Sequence, residues 1–510
     1  LHLASEKQKN ILPVVIEKVK LPSNFEYSLA GLQRVQYDDR PAILQALETL
    51  QHGIAVTEPL PISAPAPADN SIRIAVLPFD DLSPDHDNQW FADGMMDELI
   101  STLGSLDRVK VPSRSDVLHY RKHQKKSREI ARELGVRYLI EGGVRKANAK
   151  IRINASLIDT LCSEQIWTNK FDGSFEDVFA FQELVAKNIT DALKLKLTPT
   201  EEQLVEDHGT QNAEAYELYL KGRHEQYYLT KESYLRALDL YEAAAALDPK
   251  FARAHLGAAS ICCAYYREYS RDPKWLDRAG ASLASAEAIT GESSNSLRVR
   301  GMIAWLKGDN PEAISFLTRA TELDSKNLSS YNILGNIQIS IGNYPAAIHA
   351  FQRAADLEGS TQAYFNLLTA LSNAKDRVRL LETANKALPV FARYLLREPG
   401  DQSALVSRAF VLFWADRIQE AEDAAALLLA RDDLSGQALY NLGCLFSSAG
   451  NQQTFVALFR KAIDRGFRSI EEARSNEVDI QEPNYRLEFQ QLLSELETII
   501  ERENAIPSMA

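Results

Sequence analysis

Cysteine is scarce in this chain of 510 residues: Cys162, Cys262, Cys263 and Cys444 are the whole complement. Their spacing offers neither a disulfide framework nor a zinc-ligand pattern, so they read as buried free thiols of a reducing, cytoplasmic compartment. The nine histidines are scattered without metal-ligand intervals. No run of about 18 or more apolar residues occurs, which excludes a membrane-spanning helix. Positive charge is in deficit: 57 Lys and Arg against 70 Asp and Glu leave a net charge of -13. That balance argues against nucleic acid as a partner, because a phosphate backbone is held by clustered cations. Gly142-Gly143 lacks both a P-loop lysine and a dinucleotide fingerprint, and no Ser/His/Asp set stands out. The expectation is a non-enzymatic chain with no cofactor and no metal. The chain opens on Leu1 without a signal peptide, which suggests a fragment lacking its native start.

What the chain has in abundance is repetition. GDNPEAISFLTRATELDS from Gly308 is answered by GNYPAAIHAFQRAADLEG from Gly342, 34 residues later. Gly301 maps onto Gly335, Ala313 onto Ala347, Leu317 onto Phe351 and Ala320 onto Ala354. Downstream, Ala409 maps onto Gly443 and Ala421 onto Phe455. Each unit holds two amphipathic helical patterns around a turn, with Pro311 and Pro345 in a first helical turn, where a missing N–H costs nothing. The small residues mark where two helices cross closely. This pattern resembles the tetratricopeptide repeat, in Leu334-Gly335 with Ala347 and Phe351 and in Leu442-Gly443 with Phe459. Residues 209–466 hold about seven such units, an all-α superhelical solenoid, and residues 467–510 read as capping helix and tail.

A stack of such units creates a concave groove, and the resemblance implies that it holds a protein or peptide partner. By the family's pattern the groove is lined by first helices, which makes Arg298, Asn332, Asn336, Asn366 and Asn373 candidate hydrogen-bond donors to a bound chain. The same residue types also serve as solvated helix polars. Val406, Phe410, Phe413 and Tyr440 would make the groove apolar further along.

Before the solenoid the periodicity is different. SIRIAVLPF, RVKVPSR, VRYLIEGGVRKA, KIRINASLIDT and EQIWTNKFD read as strands. Helices fall from Trp90, from Ser127 to a cap at Gly135, and from Phe175 to about Leu197. Residues 71–198 therefore form an α/β domain with a mixed sheet. Its phrases, IAVLPFDDLS and WFADGMMDELIST among them, resemble the TolB-like amino-terminal domain of bacterial signalling proteins, which implies a non-catalytic module for association, including self-association. Asp80, Asp81, Asp85, Asp87, Asp93 and Asp97 could hold a cation or favour a helix start, the latter being the simpler reading. The basic run from Arg121 reads as a solvated face.

Residues 55–70 form a Pro/Ala-rich linker. Residues 1–54, with ILPVVIE and LQRVQY, resemble the last third of a bacterial Toll/interleukin-1 receptor (TIR) domain. Some of those domains hydrolyse NAD with a glutamate upstream of this strand, and that role does not carry over to Glu6. Two functions follow as expectations: a binding scaffold for signalling or, as the alternative, the regulatory portion of a TIR-type effector whose catalytic half lies upstream.

Overall fold

The computed structural model describes residues 71–505 except 86, 107, 123–124, 148–149, 163, 194, 196, 200, 203–208 and 476–482, together with 14–15 and 35–36. The chain divides into two compact units, residues 1–71 and 72–510. In the first, β1 (Val14–Val15) pairs in parallel with β2 (Val35–Gln36). The rest of residues 1–54, whose sequence raises the expectation of a TIR-type remnant, and the expected linker at 55–70 lie outside the described residues.

The second unit opens on a mixed sheet. Its strands are β3 (Ile72–Val76), β4 (Asp80–Asp81), β5 (Val109–Lys110), β6 (Tyr138–Ala147), β7 (Lys150–Asp159) and β8 (Glu164–Ser174). The order is β5-β3-β6-β7-β8, parallel around β3 and antiparallel through the β6–β8 meander, with β4 beside β6. The interspersed helices are α1 (Gln89–Ser105), α2 (Arg114–Leu118), α3 (Ser127–Leu134) and α4 (Val178–Ala192). Gly135 ends α3 in the left-handed conformation expected of it. The expected strands are present; β4 and α2 are additions that no periodicity announced, because each is too short to show one.

Seven helical hairpins follow among the described residues. Repeat 1 is α5 (Ala213–Gln226) and α6 (Lys231–Leu247), and repeat 2 is α7 (Ala252–Glu268) and α8 (Lys274–Thr290). Repeats 3 and 4 are α9 (Ser294–Leu306) with α10 (Asn310–Leu323), and α11 (Leu328–Ser340) with α12 (Tyr344–Glu358). Repeat 5 is α13 (Thr361–Asn373) and α14 (Arg377–Arg397), whose 21 residues absorb Pro389. Repeats 6 and 7 are α15 (Gln402–Trp414) with α16 (Ile418–Leu429), and α17 (Gly436–Ser448) with α18 (Gln452–Asp464). After α19 (Ile470–Ser475), α20 (Pro483–Ala505) covers the last repeat through Phe489, 4.9 Å ring to ring from Phe459.

The small residues do lie at the crossings. A β-carbon on Gly301 would stand 2.6 Å from Leu317, one on Gly443 would stand 2.9 Å from Phe455, and one on Gly335 would collide with the Phe351 ring. Turns between helices use glycine in the left-handed region at Gly308, Gly342 and Gly450. In repeats 5 and 6 that place is taken by Lys375 and Asp416, with φ of 56° and 62°. The sheet and the first repeats share one continuous apolar core, from Ile74 and Phe91 through Tyr216 and Tyr241 to Val299.

Candidate functional site

Two stretches of the solenoid's inner face differ in what occupies them. In repeat 1 the face packs against α1, which leaves a cleft of about 760 Å³ beside it between Trp90, Lys146, Glu217 and His224. Gly94 of α1 meets Leu220 of α5 so closely that an added β-carbon would stand 2.9 Å from the leucine. Tyr216 of α5 accepts a 2.7 Å bond from the Gln182 amide, and Glu217 pairs with Lys146 at 2.8 Å.

Around this crossing lies a buried ion-pair network. Asp93, Asp97 and Glu98 of α1 are only 2%, 4% and 6% exposed. Asp93 accepts from Arg114 at 2.9 Å, from His224 Nδ1 at 3.0 Å and from Arg121. Asp97 pairs with Arg114 at 2.7 Å and Arg223 at 3.3 Å, and Glu98 with Arg253 at 2.6 Å and Arg223 at 3.3 Å. Burial alone would raise the Asp93 pKa, but the His224 hydrogen bond and the Arg114 and Arg121 charges outweigh it and hold the carboxyl at about 2. Desolvation opposes the charge on Arg223 and Arg253, yet the phenol and carboxyl groups around them push both upward.

Asp93 and Asp97 of the acidic run thus serve as buried ion-pair partners rather than as the start of α1. Helix α1 has no acid in its first turn, and Asn88, its N-cap, makes no side-chain cap bond. Asp81 instead staples the following loop, accepting from the backbone of Ser83 at 2.9 Å and of Asn88 at 2.8 Å. Among the described residues no group of His, Cys, Asp and Glu could hold a metal. The basic run is only in part a solvated face: Arg121 joins the network, and Lys125 pairs with Glu133 at 3.0 Å.

In repeats 5–7 the same face is open. A cleft of about 1010 Å³ runs between α13, α15 and α17, the first helices of three successive repeats, and the start of α14. Phe365, Phe410 and Trp414 form its aromatic wall, with ring centroids 6.0, 5.5 and 5.4 Å apart. Leu380, Leu381 and Ile418 extend the apolar surface, while Asn373, Ser407, Asn441 and Cys444 supply polar atoms. Lys375, Arg377 and Asp416 are the charged residues that line it.

Of the expected groove residues, Asn373, Phe410 and Phe413 come together in this cleft, as does Val406. Asn366 adjoins it and accepts from Gln362, a lining residue, at 2.8 Å. Arg298, Asn332 and Asn336 belong to α9 and α11 and lie away from the cleft. Arg298 reaches Ser260 at 3.2 Å, and burial lowers its pKa; the buried Asn332 Oδ1 has no partner. Tyr440 does not face the groove: it is 0% exposed and stacks at 4.2 Å on Phe467, which the chain brings back after α18. Sequence reasoning missed Phe365, Trp414, Lys375 and Arg377. No register signal marked them: unlike Phe410 and Cys444, none of the four directly follows the small residue at a crossing. Cys262 and Cys263 are buried as expected, which pushes both thiols up to about 12, whereas Cys162 is exposed.

Residues 328–361 match the tetratricopeptide repeat. The match spans α11 and α12, so repeat 4 is a tetratricopeptide repeat in sequence as well as in geometry. A curated protein of Rhizobium meliloti (strain 1021), described as putative adenylate cyclase 3, is 36% identical over 206 residues, which is 40% of this chain. The chain spans 35% of that relative's length. Among solved structures, a tetratricopeptide repeat protein from Parabacteroides merdae ATCC 43184 aligns over 56% of this chain and 100% of its own, at 14% identity and a TM-score of 0.35. YrrB, described as a TPR protein with an unusual peptide-binding site, aligns over 38% of this chain and 97% of its own, at 21% identity and a TM-score of 0.27. No helix among the described residues is long and apolar enough to cross a membrane.

Proposed function

We propose that the chain is a non-enzymatic interaction scaffold that holds a segment of a partner protein in the cleft of repeats 5–7. The observation that carries this reading is the contrast between the two stretches of one face. Arg223 in repeat 1, Phe410 in repeat 6 and Cys444 in repeat 7 hold the same register position after the crossing residue. Arg223 is covered by α1, whereas Phe410 and Cys444 line an open cleft. One stretch of the first-helix face is thus packed against another part of the chain, and the stretch in repeats 5–7 is open, which supports the reading that the latter takes another molecule. Self-association is left to β8, the outermost strand of the meander, because repeat 1 covers the α1 side; light scattering on the intact chain reads it.

A photo-crosslinking amino acid at position 410, expressed in the full chain in its native cells, tests the scaffold. The expected result is a discrete crosslinked adduct from position 410 and none from Leu427, which is 74% exposed on a second helix away from the cleft. Equal labelling at the two positions would overturn the reading. The cyclase named in the 36% identical relative is a separate matter. With about a third of that protein's length in common, the chain is expected to form no cyclic AMP from ATP. Turnover above a no-enzyme control, lost on mutation, would make it an enzyme.

A further inference from the structure

We infer that the occupant of the repeat 5–7 cleft is an acidic amphipathic segment, one that sets a bulky apolar side chain beside Asp or Glu; this rests on the scaffold reading above. Charge is the first argument. Lys375 and Arg377 share one lining carboxylate, Asp416, which stands 3.9 Å from Arg377 with side chains 86% and 69% exposed. Such an exposed, long pair neutralises little. The cleft is therefore cationic within a chain whose net charge is -13.

The second argument is conformational. The turn between the two helices of repeats 3, 4 and 7 uses Gly308, Gly342 and Gly450 in the left-handed region. Non-glycine residues stand there in repeat 1, Leu229, and in repeats 5 and 6, Lys375 and Asp416, and the last two line the cleft. A side chain in that backbone conformation costs strain that glycine would not, and at position 375 it adds a cation to the cleft lining that glycine could not supply. The third argument comes from the chain itself. Helix α1, apolar on one side and carrying Asp97 and Glu98, already sits on this face in repeat 1, where Arg223 and Arg253 hold its carboxylates. In the cleft the aromatic wall of Phe365, Phe410 and Trp414 supplies the surface for an apolar anchor. Lys375 and Arg377 would take the role that the arginines play for α1. Asn441 accepts from Gln437 at 3.1 Å, and its own amide N–H groups have no partner among the described residues, so they can donate to the segment's backbone.

Two fluorescein-labelled probes decide it on the full chain by anisotropy: Glu-Glu-Leu-Phe repeated three times, and the same peptide with every Glu replaced by Lys. The acidic probe is expected to bind, more weakly at about 0.5 M than at about 0.05 M salt, and the lysine probe not to bind. Lys375→Gly is expected to weaken the acidic probe roughly tenfold, with Arg377→Ala adding to the loss. Lys375→Gly should at the same time raise the thermal midpoint, because glycine relieves the strained turn. A residue with a purely structural role would not give that opposed pair of effects. Phe410→Asp should abolish binding while the helical circular dichroism is kept. Equal binding of the two probes, lost only in Phe410→Asp, would leave the groove reading standing and overturn the acidic occupant. Binding of neither probe, or binding untouched by Phe410→Asp, would overturn both.

Discussion

Replacing Asp93 with alanine is expected to cost the folded chain about 3–5 kcal/mol, the range for removing one partner of a buried ion pair. The carboxylate is the shared acceptor of Arg114, Arg121 and His224, and Gln89 donates to it at 2.9 Å. Without it Arg121 loses its carboxylate, Arg114 keeps only Asp97, and two cations remain desolvated with too little negative charge. Asp93→Asn should cost less, because the amide oxygen still accepts while the charge is gone. Urea denaturation of the three proteins measures the series; a loss below about 1 kcal/mol for the alanine variant would mean that the network contributes nothing beyond a surface pair.

The same carboxyl sets an acid dependence. Its folded pKa of about 2 lies below the ordinary 3.8. The stabilisation is therefore complete above the unfolded value and is lost as pH falls from there toward 2. At 1.36 kcal/mol per unit, the shift amounts to roughly 2 kcal/mol. Wild type should lose that increment between about pH 4 and 2, and Asp93→Asn should lack it.

Gly335→Ala is expected to destabilise by about 1–3 kcal/mol, the cost of overpacking a filled core. Alanine is the better helix former by about 0.8–1 kcal/mol, so the sign depends on what the methyl group meets. At Gly335 it meets the Phe351 ring at sub-van der Waals distance, and Phe351 is fully buried, with no room to withdraw. At Gly280, inside α8, nothing lies within 4 Å. Gly280→Ala should therefore stabilise by up to about 1 kcal/mol. Shortening the ring in a Gly335→Ala/Phe351→Leu double variant should recover part of the loss. Additive costs in that cycle would show that the two positions do not touch.

Much of the architecture was legible because its determinants are local or strictly periodic. The 34-residue spacing of Gly301, Gly335 and their partners, Pro311 and Pro345 in first turns, and the Gly135 cap all act within a few residues of themselves. The acidic run was misread for the opposite reason. Its partners are remote: Arg253 stands 155 residues from Glu98 and His224 stands 131 from Asp93. No window of sequence joins them. The groove was legible as a face but not in its occupancy. Periodicity places Asn336 and Phe410 on equivalent positions without saying that one end packs against α1. Tyr440 carries an apolar side chain at a groove position, and only the return of Phe467 after α18 shows that it is core.

The α/β domain touches the solenoid a second time, far from α1. Lys326, at the entry to repeat 4, donates to the backbone carbonyl of Ser105 at 3.1 Å. Burial, with Asp116 nearby, raises the Glu358 pKa at the end of repeat 4, against the hydrogen bonds from Ser360 and Ser113. Arg397, at the end of repeat 5, has a side chain only 8% exposed and stands 3.9 Å from Asp116. The α/β domain is therefore tied to the coil near its first turn and again near its middle, as a string ties a bow. Stretching or unwinding the coil between the ties would have to break these contacts, and among the described residues repeats 6 and 7 carry no such tie. The cleft lies across that boundary, with α13 on the tied part and α15 and α17 on the untied part.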